Sequence, residues 1–257
     1  VGPPAEDAAF MGSGYDVFKT NNAARPKVLY VGANDGMLHC FDLSTGIELW
    51  GFIPYNLLPK LTGTWRVASN TTRYYRHDIF VDGSPAVADV QIGGQWKTVL
   101  ICGQGPGIGS TIDSNFTGGQ NYYWALDITD PTNPQPLWEI THKNASNQAT
   151  MGETWSVPEI GKVNQSGSLV WMAFMGSGYN NVGQSTAGQY FYAVRVDTGQ
   201  VVQTVRVTNV NTNDNTVMTT SPPRNAYKYT DIPDAIVASP TALDSNNDGK
   251  LEAVYVG

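Results

Sequence analysis

The chain has 257 residues, 41% of them hydrophobic, which is enough for one large all-β domain or two small ones with a packed core. Its formal net charge of −7, with no basic cluster to neutralise phosphates, argues against a nucleic-acid-binding protein. No apolar run reaches the roughly 18 residues of a membrane-spanning helix, and the 27 glycines and 15 prolines favour short strands joined by turns.

The first clear structural unit is an antiparallel meander. Residues 1–20 precede it and open with Gly2, Pro3 and Pro4, so no helix or strand is predicted there. Strands follow at residues 27–32, 37–42 and 48–52. Asn-Asp-Gly and Ser-Thr-Gly turns join them, because Asn, Asp and Gly accept positive φ at low cost.

Residues 57–78 form a longer excursion that is predicted to be a loop. Its aromatic and basic side chains suit either a ligand surface or a loop whose rings pack on the domain edge, and we favour the second interpretation. These side chains are Trp65, Arg66, Arg73, Tyr74, Tyr75 and Arg76.

Two complete four-stranded units and the start of another follow. One has predicted strands at residues 84–90, 96–102, 121–127 and 136–140. The next repeats the order at residues 155–163, 169–176, 189–197 and 200–205. Of the last unit, only a hairpin is predicted, with strands at residues 241–243 and 253–256.

Shared turn chemistry shows that these units are repeats. In three of them the third strand ends in Asp, and in three a serine opens the first strand; these residues are Asp42, Asp127 and Asp197, and Ser84, Ser156 and Ser239. Serial four-stranded antiparallel units predict an all-β fold, a modified β-propeller with long inter-strand loops, and disfavour the rival β-sandwich. Residues 1–257 are then part of a single propeller domain, with a partial blade at about 1–56, blades at 79–141 and 153–208, and a partial blade at 236–257.

The loop of the last hairpin, residues 244–252, has the alternation of a calcium loop. Oxygen side chains occupy positions one, three, five and nine, and Gly249 occupies position six, where a chain wrapping a cation must turn sharply. The strand flanks differ from the helices of an EF-hand. Six or seven oxygens with three negative charges suit Ca²⁺ better than Mg²⁺. The predicted ligands are Asp244, Asn246, Asp248, Lys250 through its carbonyl, and Glu252.

The alternative is an ordinary hairpin connection, since Asn, Asp and Gly are common turn residues. The sister hairpins favour a metal site. Asp89 follows its strand-opening serine at the spacing of Asp244, yet no acidic residue follows it in the hairpin, and Gly161 takes the first ligand position in the third unit. One hairpin of three therefore carries a full ligand set.

The two cysteines, Cys40 and Cys102, lie in apolar strand-like runs. A structural disulfide is one possibility if the chain is exported. Two buried free thiols that pack as small apolar residues are the other, and we favour this second interpretation.

Four segments carry a family resemblance: VGANDGMLH at residues 31–39 with its following Phe-Asp and Thr-Gly, YWALDITDP at 123–131, GETWSVP at 152–158, and DSNNDGKLE at 244–252. Together they resemble the PilY family of type IV pilus biogenesis proteins, in their C-terminal propeller domain. The loop matches the family's calcium site position for position, with Glu252 where the family more often has Asp. Cys40 stands where a small residue is expected.

The resemblance implies an exported protein at the cell surface, carried through the periplasm and outer membrane to the pilus tip. It implies minor pilins of the tip complex as partners, a host or abiotic surface ligand, and a separate N-terminal region. The family promotes pilus assembly by opposing retraction, and acts in adhesion and twitching motility, with calcium tied to switching between extension and retraction. Family propellers have about seven blades, so we expect this chain to be a piece of a longer protein. The predicted function is a non-enzymatic calcium-binding module.

Two other functions compete with this one. The segment from Asp42 to Trp50 resembles a repeat of the quinoprotein (PQQ) dehydrogenase propellers, but no adjacent cysteine pair is present to stack on a quinone. His39, His77 and His142 lie far apart in the sequence and have no metal-ligand spacing. A carbohydrate-binding propeller with Trp and Tyr platforms is the second alternative.

Overall fold

Short antiparallel sheets, following one another in chain order, make up most of the molecule. The computed structural model describes residues 1–58, 65–69, 72–75, 79–106, 121–165, 167–179, 187–206 and 236–256. The chain starts with helices α1 (Ala8–Met11) and α2 (Tyr15–Asn21) and a three-stranded sheet of β1 (Val28–Gly32), β2 (Leu38–Asp42) and β3 (Glu48–Phe52). A 3₁₀ turn (Tyr55–Leu57) and a hairpin of β4 (Trp65–Ser69) and β5 (Thr72–Tyr75) follow.

Two four-stranded sheets and a second hairpin complete the described structure. The second sheet consists of β6 (Ala86–Ile92), β7 (Gln95–Gly103), β8 (Tyr123–Asp127) and β9 (Gln135–Ile140). The third consists of β10 (Glu159–Gln165), β11 (Ser168–Gly176), β12 (Tyr190–Arg195) and β13 (Val201–Arg206). The last hairpin pairs β14 (Thr241–Leu243) with β15 (Ala253–Tyr255).

Successive sheets stack face to face through their hydrophobic side chains. Successive residues of β7 alternate between two clusters: Leu100 and Cys102 pack in a cluster shared with the first sheet, and Val99 and Ile101 pack in one shared with the third. A strand buried on both faces is what a central position in a stack of blades requires. The predicted fold class, a propeller of four-stranded antiparallel blades, is confirmed.

Tryptophans of the outer strands form hydrogen bonds that connect neighbouring sheets. The indole N–H of Trp50 in β3 donates to the carbonyl of Pro131, beyond β8 of the second sheet, over 2.8 Å. Trp138 in β9 donates in the same way to Val196, beyond β12 of the third sheet, also over 2.8 Å. The repeat therefore includes a docking contact that joins the first sheet to the second and the second sheet to the third.

The shared aspartates at the ends of the third strands organise turns. In the first sheet, where that position is at the end of β2, Asp42 accepts the backbone N–H groups of Ser44 and Thr45 at 2.9 and 2.8 Å. Hydrogen bonds from the Ser44 hydroxyl and from Thr45 lower the pKa of Asp42 to about 2. Asp127 accepts both the amide and the hydroxyl of Thr129, so it has the same structural role as Asp42. Asp197, the third of these aspartates, instead accepts the Arg195 guanidinium at 2.9 and 2.6 Å.

The helices correct the prediction that residues 1–20 form no regular element. Asp7 caps α1 by accepting the amide of Ala9 at 2.9 Å, and Gly14, with φ of +80°, precedes α2. Tyr15 and Phe18 of α2 are buried, so tertiary packing stabilises a helix that is too short to be stable alone.

The hairpin of β4 and β5 likewise corrects the prediction of a loop at residues 57–78. Aromatic and β-branched residues favour strands, and two short runs that contain them lie close together in the sequence here. The side-chain interpretations of this segment, including that of Arg76, lie outside the described residues.

The cysteines are both free and buried, as the thiol alternative predicted. Burial raises the pKa of Cys40 to about 11 and also raises the pKa of Cys102, so both stay protonated near neutral pH. Within the described residues, no helix is long and apolar enough to cross a membrane.

Candidate metal centre

The loop of residues 244–252 closes a short antiparallel hairpin. Leu243 of β14 pairs with Ala253 of β15, and the amide of Glu252 donates to the Leu243 carbonyl over 2.9 Å. Inside the loop, Asn247 and Gly249 have φ of +59° and +79°. Asn and Gly tolerate this left-handed conformation, so the sequence permits a tight turn that points side-chain oxygens inward.

Three carboxylates converge in this loop. One oxygen from each of Asp244, Asp248 and Glu252 lies within 4.8 Å of the other two. Oxygens that bind one Ca²⁺ at the usual distances are at most about 5 Å apart, so these three can share an ion. Among the residues that the structure describes, this is the one group of three or more His, Cys, Asp or Glu side chains with metal-binding geometry.

Backbone N–H groups hold these carboxylates in place. Asp244 accepts the amides of Asp248 and Gly249 at 3.1 and 2.7 Å, and Glu252 accepts both the amide and the hydroxyl of Ser245 at 2.7 and 3.1 Å. Each carboxylate oxygen has more than one lone pair, so these bonds fix orientation and leave room for a cation. The loop is thus organised by its own amides.

Asn246 and Lys250, the remaining predicted ligands, also point to Asp248. The side-chain oxygen of Asn246 accepts the Asp248 amide at 3.0 Å. The Lys250 ammonium lies 2.6 Å from an Asp248 carboxylate oxygen, and this hydrogen bond lowers the pKa of Asp248 and raises the pKa of Lys250. The sequence assigned only the carbonyl of Lys250, which stays a prediction, and missed the side chain as an internal partner of the acidic loop.

The loop also contacts the neighbouring sheet, which the sequence did not indicate. The amide of Leu251 donates to the carbonyl of Lys162 in β10 over 2.8 Å, and the Leu251 side chain packs directly on Gly161. A Cβ at residue 161 would lie 2.8 Å from Leu251 Cγ, too close for a real contact. Gly161 therefore does more than lack a ligand side chain. Because it has no Cβ, it makes room for the loop of residues 244–252, named here the calcium-type loop after its sequence pattern.

The corresponding acidic residue of the second sheet has a structural role. Asp89 is buried, with 8% of its surface exposed, and accepts the hydroxyls of Tyr15 and Thr98 at 2.5 and 2.6 Å. A satisfied buried carboxylate with no acidic neighbour in its hairpin does not resemble a metal ligand. This contrast agrees with the interpretation of the sister hairpins.

His39 takes part in a different acidic cluster. Its ring nitrogens lie 2.7 Å from Glu48 and 2.9 Å from Asp35. Burial lowers the pKa of His39, but the hydrogen bonds with Glu48 and Asp35 outweigh burial and raise it overall. The two carboxylates lie on opposite sides of the ring, so they form an ion-pair bridge and not a metal site. His77 lies outside the described residues.

The donor set of the loop fits a hard divalent cation. It contains only oxygen side chains, with three carboxylates and one amide, and no sulfur or imidazole. Oxygen donors with several carboxylates suit Ca²⁺, whose flexible coordination accepts six to eight ligands.

Comparisons with known proteins agree with the motifs. The family model described as the PilY1 beta-propeller domain matches residues 6–257. A type IV pilus biogenesis factor PilY1 of Pseudomonas aeruginosa is 31% identical over 246 residues, which is 95% of this chain and 17% of that protein. A PilY1 homolog of Xylella fastidiosa is 36% identical over 172 residues, which is 66% of this chain and 12% of that protein.

A solved structure agrees as well. The crystal structure of the Pseudomonas aeruginosa PilY1 C-terminal domain superposes with a TM-score of 0.65 at 28% sequence identity, and the match covers all of this chain and 42% of that one. This chain spans less than a fifth of the length of the curated relatives it matches. The resemblance drawn from the sequence is confirmed, and the chain belongs to the PilY1 β-propeller family.

Proposed function

We propose that this chain is the calcium-binding propeller module of a type IV pilus tip-associated protein. Family membership supports the pilus assignment, because the relatives are named as type IV pilus biogenesis factors. The observation that carries the calcium assignment is the convergence of three carboxylates within 4.8 Å in the loop of residues 244–252.

In this proposal the module has no enzymatic activity. It acts in pilus assembly by opposing retraction, and in surface adhesion and twitching motility. Its partners are the minor pilins of the tip and a host or abiotic surface, and its location is extracellular. The quinoprotein alternative gains no support among the described residues, because Asp42 caps a turn and Trp50 docks one sheet on the next.

The loop residues would act on the ion in a simple way. Asp244, Asp248 and Glu252 would supply charged oxygens, with Asn246 and the Lys250 carbonyl completing the set. The Lys250 ammonium pairs with Asp248 at 2.6 Å, so it would have to leave that carboxylate when a cation binds. A calcium ion that binds only the folded state stabilises that state against unfolding by about 2.7 kcal/mol when the free calcium concentration is a hundred times Kd.

Calorimetric titration with CaCl₂ tests the calcium assignment. Wild type is expected to bind one ion, and Asp248→Asn, which keeps the side-chain shape but removes one charge, is expected to lose at least tenfold in affinity. Asp130→Asn is the matched control, because Asp130 is an exposed aspartate in a turn of the second sheet. No heat of binding in folded wild type, or equal losses in the two variants, would refute the calcium site.

Carbohydrate binding is a second candidate, which one cavity favours. An open cavity of about 550 Å³ is lined by Trp155 and Tyr179, which are 36% and 51% exposed, and by Glu153 and residues 237–239. Half-exposed aromatic rings beside a carboxylate are typical of ligand sites. Binding of the wild-type chain to a glycan array, lost in Trp155→Ala, would support carbohydrate binding. An array without signal for folded wild type would refute it.

A further inference from the structure

The N-terminal strap, defined here as residues 7–22, contacts the second sheet, the third sheet and the loop of the last hairpin. It contains α1 and α2, and its contacts run from the second sheet to the third and on to the calcium-type loop. The strap and the loop are more than 200 residues apart in sequence, so their contact is a product of tertiary structure alone.

Aromatic side chains fix the strap on the second sheet. The Tyr15 ring lies 4.9 Å from that of Trp96 in an edge-to-face arrangement, and its hydroxyl donates to buried Asp89 over 2.5 Å. The indole N–H of Trp96 donates to the carbonyl of Ser13 over 2.9 Å. These contacts hold the middle of the strap against Asp89 and Trp96 of the second sheet.

Lys162 of β10 fixes the strap on the third sheet. Its ammonium donates to the carbonyls of Phe10 and Met11, the second over 3.0 Å, where α1 ends. The same ammonium lies 5.6 Å from the ring centroid of Trp171, which is in edge-to-face contact with Trp96. The contacts of the strap with the second sheet and those with the third sheet therefore meet where Trp96 touches Trp171.

The loop touches both the strap and Lys162. A Cβ on Gly249 would lie 2.5 Å from the Phe10 carbonyl oxygen and 3.3 Å from the Lys162 ammonium, so the loop backbone packs directly on this junction. Leu251 donates to the carbonyl of Lys162 over 2.8 Å. Lys162 therefore binds the strap through its side chain and the loop through its backbone.

We infer that the calcium-type loop and the N-terminal strap are coupled through Lys162, so that Ca²⁺ binding in the loop tightens the docking of the strap. This inference rests on the proposed function. Without an ion, the Lys250 ammonium on Asp248 offsets only one of the three negative charges within 4.8 Å, and the repulsion that is left favours opening of the loop, which withdraws Gly249 and Leu251 from the junction. A bound cation removes this repulsion and keeps the loop packed on the strap.

The coupling is reciprocal. A ligand that stabilises one arrangement of two coupled elements is itself bound more tightly when that arrangement is stabilised from the other side. Loosening the strap at a site remote from the loop should therefore weaken calcium binding. Trp96→Phe is such a change, because it removes the donor to Ser13, keeps an aromatic ring and leaves the loop and its charges unaltered.

Hydrogen–deuterium exchange of the chain with and without CaCl₂ tests the inference. The amides of Met11 and Gly12, which donate to Asp7 and Ala8 over 3.1 and 3.0 Å, report on α1. In wild type their exchange is expected to slow at least about fivefold on calcium binding, the lower end of typical coupling between sites. Lys162→Met, which keeps the apolar stem, is expected to bind calcium but lose this response. Lys143→Met, at an exposed lysine, is the control and is expected to keep it.

Calorimetry on the same samples separates the possible failures. If wild type binds no calcium, the proposed function and this inference both fail. If it binds calcium but the exchange of Met11 and Gly12 does not change, the coupling is refuted and the proposed function stands. A normal response in folded Lys162→Met would refute the route through this lysine. Trp96→Phe provides a second test if Lys162→Met does not fold, because calcium affinity equal to that of wild type would also refute the coupling.

Discussion

The contact between Trp138 and the third sheet provides a test of how the blades are held together. Only 9% of Trp138 is exposed, and its indole N–H donates to the carbonyl of Val196, which is fully buried. Gly199 allows the close approach, since a Cβ there would lie 2.7 Å from the indole ring. Truncation of Trp138 should therefore weaken the docking of the second sheet on the third.

The size of the effect follows from what each variant removes. Trp138→Ala removes a buried ring and leaves a cavity, which costs about 3–5 kcal/mol of unfolding free energy. Trp138→Phe keeps most of the ring but leaves the Val196 carbonyl without its donor, which costs about 1–3 kcal/mol. The equivalent Trp50→Phe is expected to cost less than Trp138→Phe, because Trp50 is only half-buried.

Urea unfolding followed by circular dichroism measures these differences as shifts of the midpoint at constant slope. The predicted order of destabilisation is Trp138→Ala, then Trp138→Phe, then Trp50→Phe. A loss below about 0.5 kcal/mol for Trp138→Phe, or the reverse order of the two phenylalanine variants, would show that the hydrogen bond between sheets does not contribute as the structure indicates.

Two further predictions concern the loop and His39. Gly161→Ala places a methyl group against Leu251, so it should lower the free energy of unfolding by about 1–3 kcal/mol in urea and weaken calcium binding in calorimetry. Gly167→Ala is the control, because residue 167 faces open space at the next turn, and it should change only stability. Equal calcium affinities in the two variants would contradict the packing argument. The raised pKa of His39 means that its ion pairs stabilise the fold fully below pH about 6.5 and are lost as pH rises through the folded pKa. Because both carboxylates are about half exposed, the loss is at most about 1 kcal/mol, and a thermal unfolding series from pH 6 to 9 should show it in wild type and not in His39→Gln.

The sequence by itself determined the strands and the clustering of carboxylates in the last hairpin loop. Alternating side chains and Asn, Asp and Gly turns depend on neighbouring residues, so the three sheets and the two-stranded final hairpin were predicted close to their observed bounds. The spacing of Asp244, Asp248 and Glu252 is equally local, because all three belong to one nine-residue loop, in which their carboxylates lie close together. The apolar runs around the cysteines also indicated buried thiols.

Only the tertiary structure decided what these local elements touch. The helix α2 depends on burial of Tyr15 and Phe18 against distant sheets, so the weak propensity of a seven-residue segment gave no sign of it, although Asp7 was a usable capping signal for α1. The space that Gly161 provides for Leu251, and the position of Lys162 between strap and loop, join residues from separate blades. Such contacts follow from the stacking of sheets, whose partners are set by the whole fold and not by spacing along the chain.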